Sequence, residues 1–201
     1  MKKYVKLSMV LAVLIITAGC NSGGKKIFNG KNLEGWEVQP EDRASQWMVK
    51  EGKILYGENP DESGSMLWTT RNYRDFDLEL EFKTLTDDYD TGVFPRGEGP
   101  QVQIGISGSL QRDMTACIYA PDDGKGGYPG QTDKVEEFNK VGEWNHLRVI
   151  LEGNRIRTFL NGEDFVDYEI VKINDEGPIG LQLHPGRNMA IEFRNIRLKE
   201  L

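Results

Sequence analysis

Two short runs put polar side chains in strict alternation with apolar ones. Gln101 and Gln103 alternate with Val102 and Ile104, and Gln182 and His184 alternate with Leu181 and Leu183. In an extended chain successive side chains point to opposite sides, so each run collects its polar members on one face. A third alternation turns Phe76, Leu78, Leu80 and Phe82 one way and Asp77, Glu79 and Glu81 the other. Arg96 follows Pro95 at the end of another run, and Tyr119 closes a run over 116–120. Amides, an imidazole, a carboxylate and a guanidinium on outward faces supply directional donors and acceptors, which suits a ligand rich in hydroxyls. The candidate binding residues are Arg96, Gln101, Gln103, Tyr119 and Gln182, with Glu81 and His184 as the groups able to move a proton. Each also has a plainer role. Asp77, Glu79 and Glu81 suit a solvated strand face, His184 a strand-end cap, and Arg96 an ion pair with Glu98. His146 is expected to be structural or solvent-exposed. Trp36, Trp47 and Trp144 are expected in the core, whereas Trp68 and Tyr128 lie near loops where a sugar could stack.

The elements that carry these residues read as β throughout. Period-two runs recur between turn residues, and the chain holds 23 Gly. Strands are expected over 47–49, 53–56, 75–83, 91–95, 101–106, 116–120, 145–151, 155–160, 165–168, 179–184 and 189–199. Asn161-Gly162 marks a hairpin, since both residues tolerate positive φ. Residues 121–131 read as a loop and 134–139 as one helical turn at most. No internal repeat or second domain is visible. About a dozen short strands form two packed sheets, so the expected fold is all-β, a single jelly-roll β-sandwich of two antiparallel sheets over 27–201.

The start of the chain reads as a lipoprotein leader. Lys2, Lys3 and Lys6 precede an apolar stretch over 9–16, then Thr17-Ala18-Gly19-Cys20. The stretch is too short to span a membrane, which takes about 20 residues. Residues 1–19 are expected to be removed, Cys20 to carry lipid, and 20–26 to be a flexible tether. Three lysines leave with the leader, taking the formal charge from −7 to −10. So acidic a chain, with no basic cluster, is unsuited to nucleic acid. Its attachment to a membrane must come from acyl chains, and the expected location is the outer membrane, facing the periplasm. With Cys20 acylated, Cys117 has no intramolecular partner and is expected as a buried, inert thiol.

Several runs, in order, resemble one family. They are IFNGKNLEGW at 27–36, WMVKEGKIL at 47–55 and YRDFDLELEF at 73–82. GVFPRG at 92–97, GEWN at 142–145, Asn161-Gly162, GPIGLQ at 177–182 and IEFRNIRLK at 191–199 follow. The chain is thereby similar to the 3-keto-disaccharide hydrolases over nearly all of its mature length. The resemblance implies a concanavalin A-like jelly roll. It also shows where this chain differs. Gln101 stands where Glu is common, Asp90-Thr91 where Asn-Ser is common, and Leu183 where Asp precedes the His.

The chemistry implied by the family is particular. A ketone at C3 acidifies the proton on C2, so a base can remove it, and the C1 bond then breaks by elimination before water adds back. That requires one base and something to hold the enolate oxygen. Glu81 or His184 is the expected base, and Arg96 or a divalent metal the expected stabiliser, although the sequence holds no metal motif. Gln101 in place of Glu points to a second reading on the same fold, a non-catalytic glycan-binding lipoprotein. A conventional glycosidase would instead need two opposed carboxylates.

Overall fold

The computed structural model describes residues 23–201. The leader and Cys20 lie outside the described residues. Fourteen strands follow in chain order: β1 (Lys25–Lys26), β2 (Trp36–Gln39), β3 (Trp47–Lys50), β4 (Ile54–Asn59), β5 (Ser65–Tyr73), β6 (Phe76–Thr84) and β7 (Asp90–Phe94). The second half adds β8 (Gln101–Gly105), β9 (Ile118–Tyr119), β10 (Asn145–Glu152), β11 (Arg155–Leu160), β12 (Glu163–Glu169), β13 (Gly177–Leu183) and β14 (Met189–Glu200). The one α-helix among the described residues is a single turn, Val135–Phe138.

Two antiparallel sheets divide the strands. One runs β12-β11-β10-β6-β14-β4-β3, with β1 added against β14. The other runs β2-β5-β13-β7-β8-β9. Lys25 and Lys26, read from the sequence as the end of a tether, pair with Leu198 and Arg197. The Asn161-Gly162 turn has φ of 53° and 90° and joins β11 to β12 with Leu160 opposite Glu163, the geometry that residues tolerant of positive φ allow.

The core lies between the sheets and is built by the alternations seen in the sequence. Phe76, Leu78, Leu80 and Phe82 from β6 are fully buried, facing Val102, Ile104, Leu181 and Leu183 from the other sheet within one cluster. Trp36 and Trp47 belong to this core. Each indole also finds an acceptor, Ile27 O for Trp36 and Ser65 Oγ for Trp47, both at 2.9 Å. Trp144 does not join them. It is partly exposed, with the Arg194 guanidinium 3.8 Å above its ring. It directly precedes β10 and shares the parity of His146 and Arg148, whereas Asn145 and Leu147 point inward, and this turns it to the outer face of the larger sheet. Cys117 is a buried free thiol, and burial pushes its pKa up to about 11, as suits an inert side chain.

Candidate functional site

A polar cavity of about 320 Å³ opens on the outer face of the smaller sheet. That volume is in the range of small-ligand sites. With Val102 and Ile104 committed to the core, Gln101 and Gln103 necessarily face outward from β8. β9 brings Tyr119 opposite Gln101. On the other side, β7 pairs Gly92 with Gln103 and Asp90 with Gly105. β13 pairs Leu181 with Val93, which carries Gln182 and, beyond the strand end, His184 to the same face. Five residues singled out from the sequence therefore meet at one cavity: Gln101, Gln103, Tyr119, Gln182 and His184.

Gly92 explains why the cavity has a floor rather than a plug. A Cβ built there would sit 2.7 Å from Val102 O and 3.2 Å from Gln101 Cδ. Only glycine lets the Gln101 side chain lie across this strand pair. Thr91 ties the two neighbouring strands together by donating its hydroxyl to Gln182 O.

Three further residues complete the site: Asp90 and Arg187, which sequence parity does not assign to it, and Tyr128, expected from the sequence near a loop where a sugar could stack. Asp90 is buried on the cavity wall, with Oδ1 accepting from Gln103 Nε2 at 2.6 Å. Burial pushes its carboxyl above the usual carboxylate range, while His184, the Gln103 hydrogen bond and Arg187 pull it back. Arg187 brings a cation, with Nη2 at 3.8 Å from Asp90 Oδ2 and Nη1 at 2.8 Å from Asp88 Oδ1. Tyr128 packs against Tyr119 with ring centroids 5.1 Å apart, and burial pushes its hydroxyl up to about 12. Gln182 Oε1 is buried with no hydrogen-bond partner, an acceptor that a ligand hydroxyl would satisfy. His184 Nδ1 lies 2.5 Å from Pro185 O. With its proton on Nδ1, donated to that carbonyl, the ring keeps a free lone pair on Nε2.

Two sequence-derived site residues lie elsewhere. Glu81 is on β6, in the other sheet. It accepts from Arg194 Nε at 2.6 Å and Asn195 Nδ2 at 2.8 Å, away from the cavity. Its neighbours on that face, Asp77 and Glu79, are buried rather than solvated. Arg148 covers them, with a two-pronged pair to Asp77 at 2.8 and 2.7 Å. His146 stands 3.8 Å from Glu79 with its side chain 41% exposed. Arg96 is also outside the cavity, and only 3% exposed. Its guanidinium donates to Arg74 O at 2.5 Å, Gly153 O at 2.9 Å, Asn174 O at 3.1 Å and Asp75 Oδ1 at 2.8 Å. It fastens three connections between strands instead of awaiting a ligand. Trp68 is buried, edge-on to Phe94 at 5.8 Å, and too enclosed to stack a sugar.

Among the described residues no group of three or more His, Cys, Asp or Glu side chains is arranged to hold a metal. The donors in the cavity are one carboxylate, one imidazole and three amides. They do not form a metal-ligand set, so no step below is routed through a metal.

Two antiparallel sheets with a polar cavity on the outer face of one define a concanavalin A-like jelly-roll β-sandwich. The chain belongs to the 3-keto-alpha-glucoside-1,2-lyase-like domain family, whose profile matches residues 23–199. It is 23% identical over 232 aligned positions to a 3-keto-disaccharide hydrolase of Bacteroides thetaiotaomicron, covering 87% of this chain and 77% of that one. The fold matches a proposed glycosyl hydrolase from Parabacteroides distasonis with a TM-score of 0.67. The identity there is 21%, over 88% of this chain and 93% of the other. It also matches the carbohydrate-binding module CBM66 from Bacillus subtilis, with a TM-score of 0.54 and 14% identity, over 83% of this chain and 96% of the module.

Proposed function

We propose that the chain is a lipid-anchored enzyme that cleaves 3-keto-glycosides by removing the C2 proton and expelling the group at C1. The observation that carries this reading is a base and a cation, His184 and Arg187, meeting in one polar cavity. Gln101, Gln103, Gln182, Tyr119 and Tyr128 would hold the sugar hydroxyls and exclude water from one side of the ring. His184 Nε2 takes the C2 proton, and the electron pair moves toward the ketone. Arg187 stabilises the enolate oxygen, and the ionised Asp90 stabilises the imidazolium that forms. The enolate re-forms the ketone as a C1–C2 double bond forms and the C1–O bond breaks. The imidazolium returns its proton to the departing oxygen. Addition of water to the enone gives net hydrolysis, with the proton and hydroxyl accounted for.

A conventional glycosidase mechanism suits the cavity poorly, because Asp90 is the single carboxylate lining it among the described residues. The second reading, a glycan-binding protein without turnover, is favoured by Gln101, an amide at a position where a carboxylate could act as base. Incubating the purified protein with a chromogenic 3-keto-glucoside, before and after chelation, separates the two. Release of the chromophore is expected. Loss of release with chelator would assign a divalent metal. No release by folded protein would favour the binding reading. The envelope location is part of the same proposal. Cys20→Ala is expected to abolish incorporation of labelled palmitate and to release the protein from membranes. Unchanged incorporation would move the lipid site elsewhere.

A further inference from the structure

The cavity wall holds a relay of three polar side chains whose direction the cleavage chemistry leaves unexplained. Gln101 Nε2 donates to Gln103 Oε1, and Gln103 Nε2 donates to Asp90 Oδ1 at 2.6 Å. All three side chains are buried, Gln103 almost completely at 1% exposure. The direction of the relay follows from its inner end. An ionised carboxylate accepts hydrogen bonds and cannot donate them. Arg187, 3.8 Å from Asp90 Oδ2, and the Gln103 NH2 at 2.6 Å favour that ionised form against the burial that disfavours it. Gln103 must then turn its NH2 toward Asp90, which leaves its carbonyl oxygen facing Gln101. Gln101 must in turn direct its own NH2 inward, so the outer terminus of the relay is Gln101 Oε1. With a neutral amide at position 90, either direction would be allowed. The unpartnered Oε1 of Gln182 adds a second acceptor on the same cavity.

We propose that Asp90 is a specificity-determining residue: by fixing the direction of the relay, it makes the Gln101 end of the cavity read a sugar hydroxyl that donates. This rests on the reading of the cavity as a sugar site. Asp90 acts here as a positioning residue, through two amides. A ligand group that only accepts would meet a carbonyl oxygen and leave it buried without a donor.

The relay's direction is read without any sugar, by neutron diffraction from deuterated crystals of the protein. Deuterons on the Gln103 nitrogen that faces Asp90 are expected, and a Gln103 oxygen facing Asp90 overturns the proposal. Its consequence is read by calorimetry with a C-glycoside of 3-keto-glucose, whose C1–C bond resists elimination. Analogues carry fluorine in place of each remaining hydroxyl in turn, since fluorine accepts weakly and cannot donate. Wild-type protein is expected to bind one analogue about tenfold more weakly than the parent, the worth of one buried hydrogen bond. Asp90→Asn is expected to narrow that ratio to about twofold. An undiminished ratio in Asp90→Asn overturns the proposal and leaves the sugar site standing. Failure of wild-type protein to bind the parent sugar overturns the site reading, and the proposal with it.

Discussion

Replacing Arg96 with Ala should unfold the protein more easily without touching the cavity. The guanidinium is 2% exposed and donates to three backbone carbonyls and to Asp75, which is 33% exposed. Asp75 Oδ1 also accepts from the Gly153 amide at 2.8 Å, so it keeps one partner after the change. The three carbonyls do not. Breaking a buried pair and stranding its partners costs about 3–5 kcal/mol, and the partial exposure of Asp75 points to the lower half of that span. For a chain of 201 residues, each kcal/mol moves Tm by about 2–4 °C, so a cost of about 3–4 kcal/mol lowers it by roughly 6–16 °C. Arg96→Lys should recover little, because one ammonium cannot serve carbonyls from residues 74, 153 and 174 together. The assay is thermal unfolding by circular dichroism, paired with 3-keto-glucoside cleavage well below the lowered Tm. An Arg96→Ala protein with unchanged Tm and a tenfold or greater loss of kcat/KM would refute this reasoning and restore Arg96 as a ligand contact.

Three other outcomes follow from the same geometry. His184→Ala should lower cleavage by about 10²–10⁴-fold while the affinity for an uncleavable sugar changes little, and unchanged cleavage would move the base elsewhere. Gly92→Ala should cost about 1–3 kcal/mol, because its Cβ meets Val102 O and Gln101 Cδ, and should weaken sugar binding; a variant with wild-type Tm and affinity would show that the cavity floor tolerates a side chain. Asp90 has a raised carboxyl pKa, chiefly from burial, so the folded state holds its proton more tightly than the unfolded chain. Its ionised form therefore opposes folding near neutral pH, and wild-type stability relative to Asp90→Asn should rise as pH falls through that raised value. It should level off below the unfolded carboxylate value of about 3.9, and a difference that shrinks on acidification would contradict the assignment.

Much of the site was legible because strand parity is a local property. Val102 with Ile104, and Leu181 with Leu183, fix which side the core occupies, and the glutamines and His184 follow on the other side. Parity does not say which sheet a strand joins. Glu81 obeys the same alternation as Gln103, yet β6 lies in the other sheet, where Arg194 engages it. Asp90 is not legible from the sequence because the alternating run there begins at Thr91. One residue earlier, the alternation of Asp90, Gly92 and Phe94 with Thr91 and Val93 would have placed it on the cavity side. Arg96 could not have been read correctly from its neighbours. The carbonyls that bury it come from parts of the chain 22, 57 and 78 residues away. Arg187 lies past Pro185-Gly186, in a turn that carries no alternation to follow.

The most direct test of elimination at the cavity is to cleave a 3-keto-glucoside in D2O and locate deuterium in the released sugar. Removal of the C2 proton followed by hydration of the enone puts deuterium on C2, above the level from buffer alone, and His184→Ala should lose that incorporation. Released sugar with hydrogen retained at C2 would mean direct displacement at C1 and would contradict the mechanism proposed for His184 and Arg187.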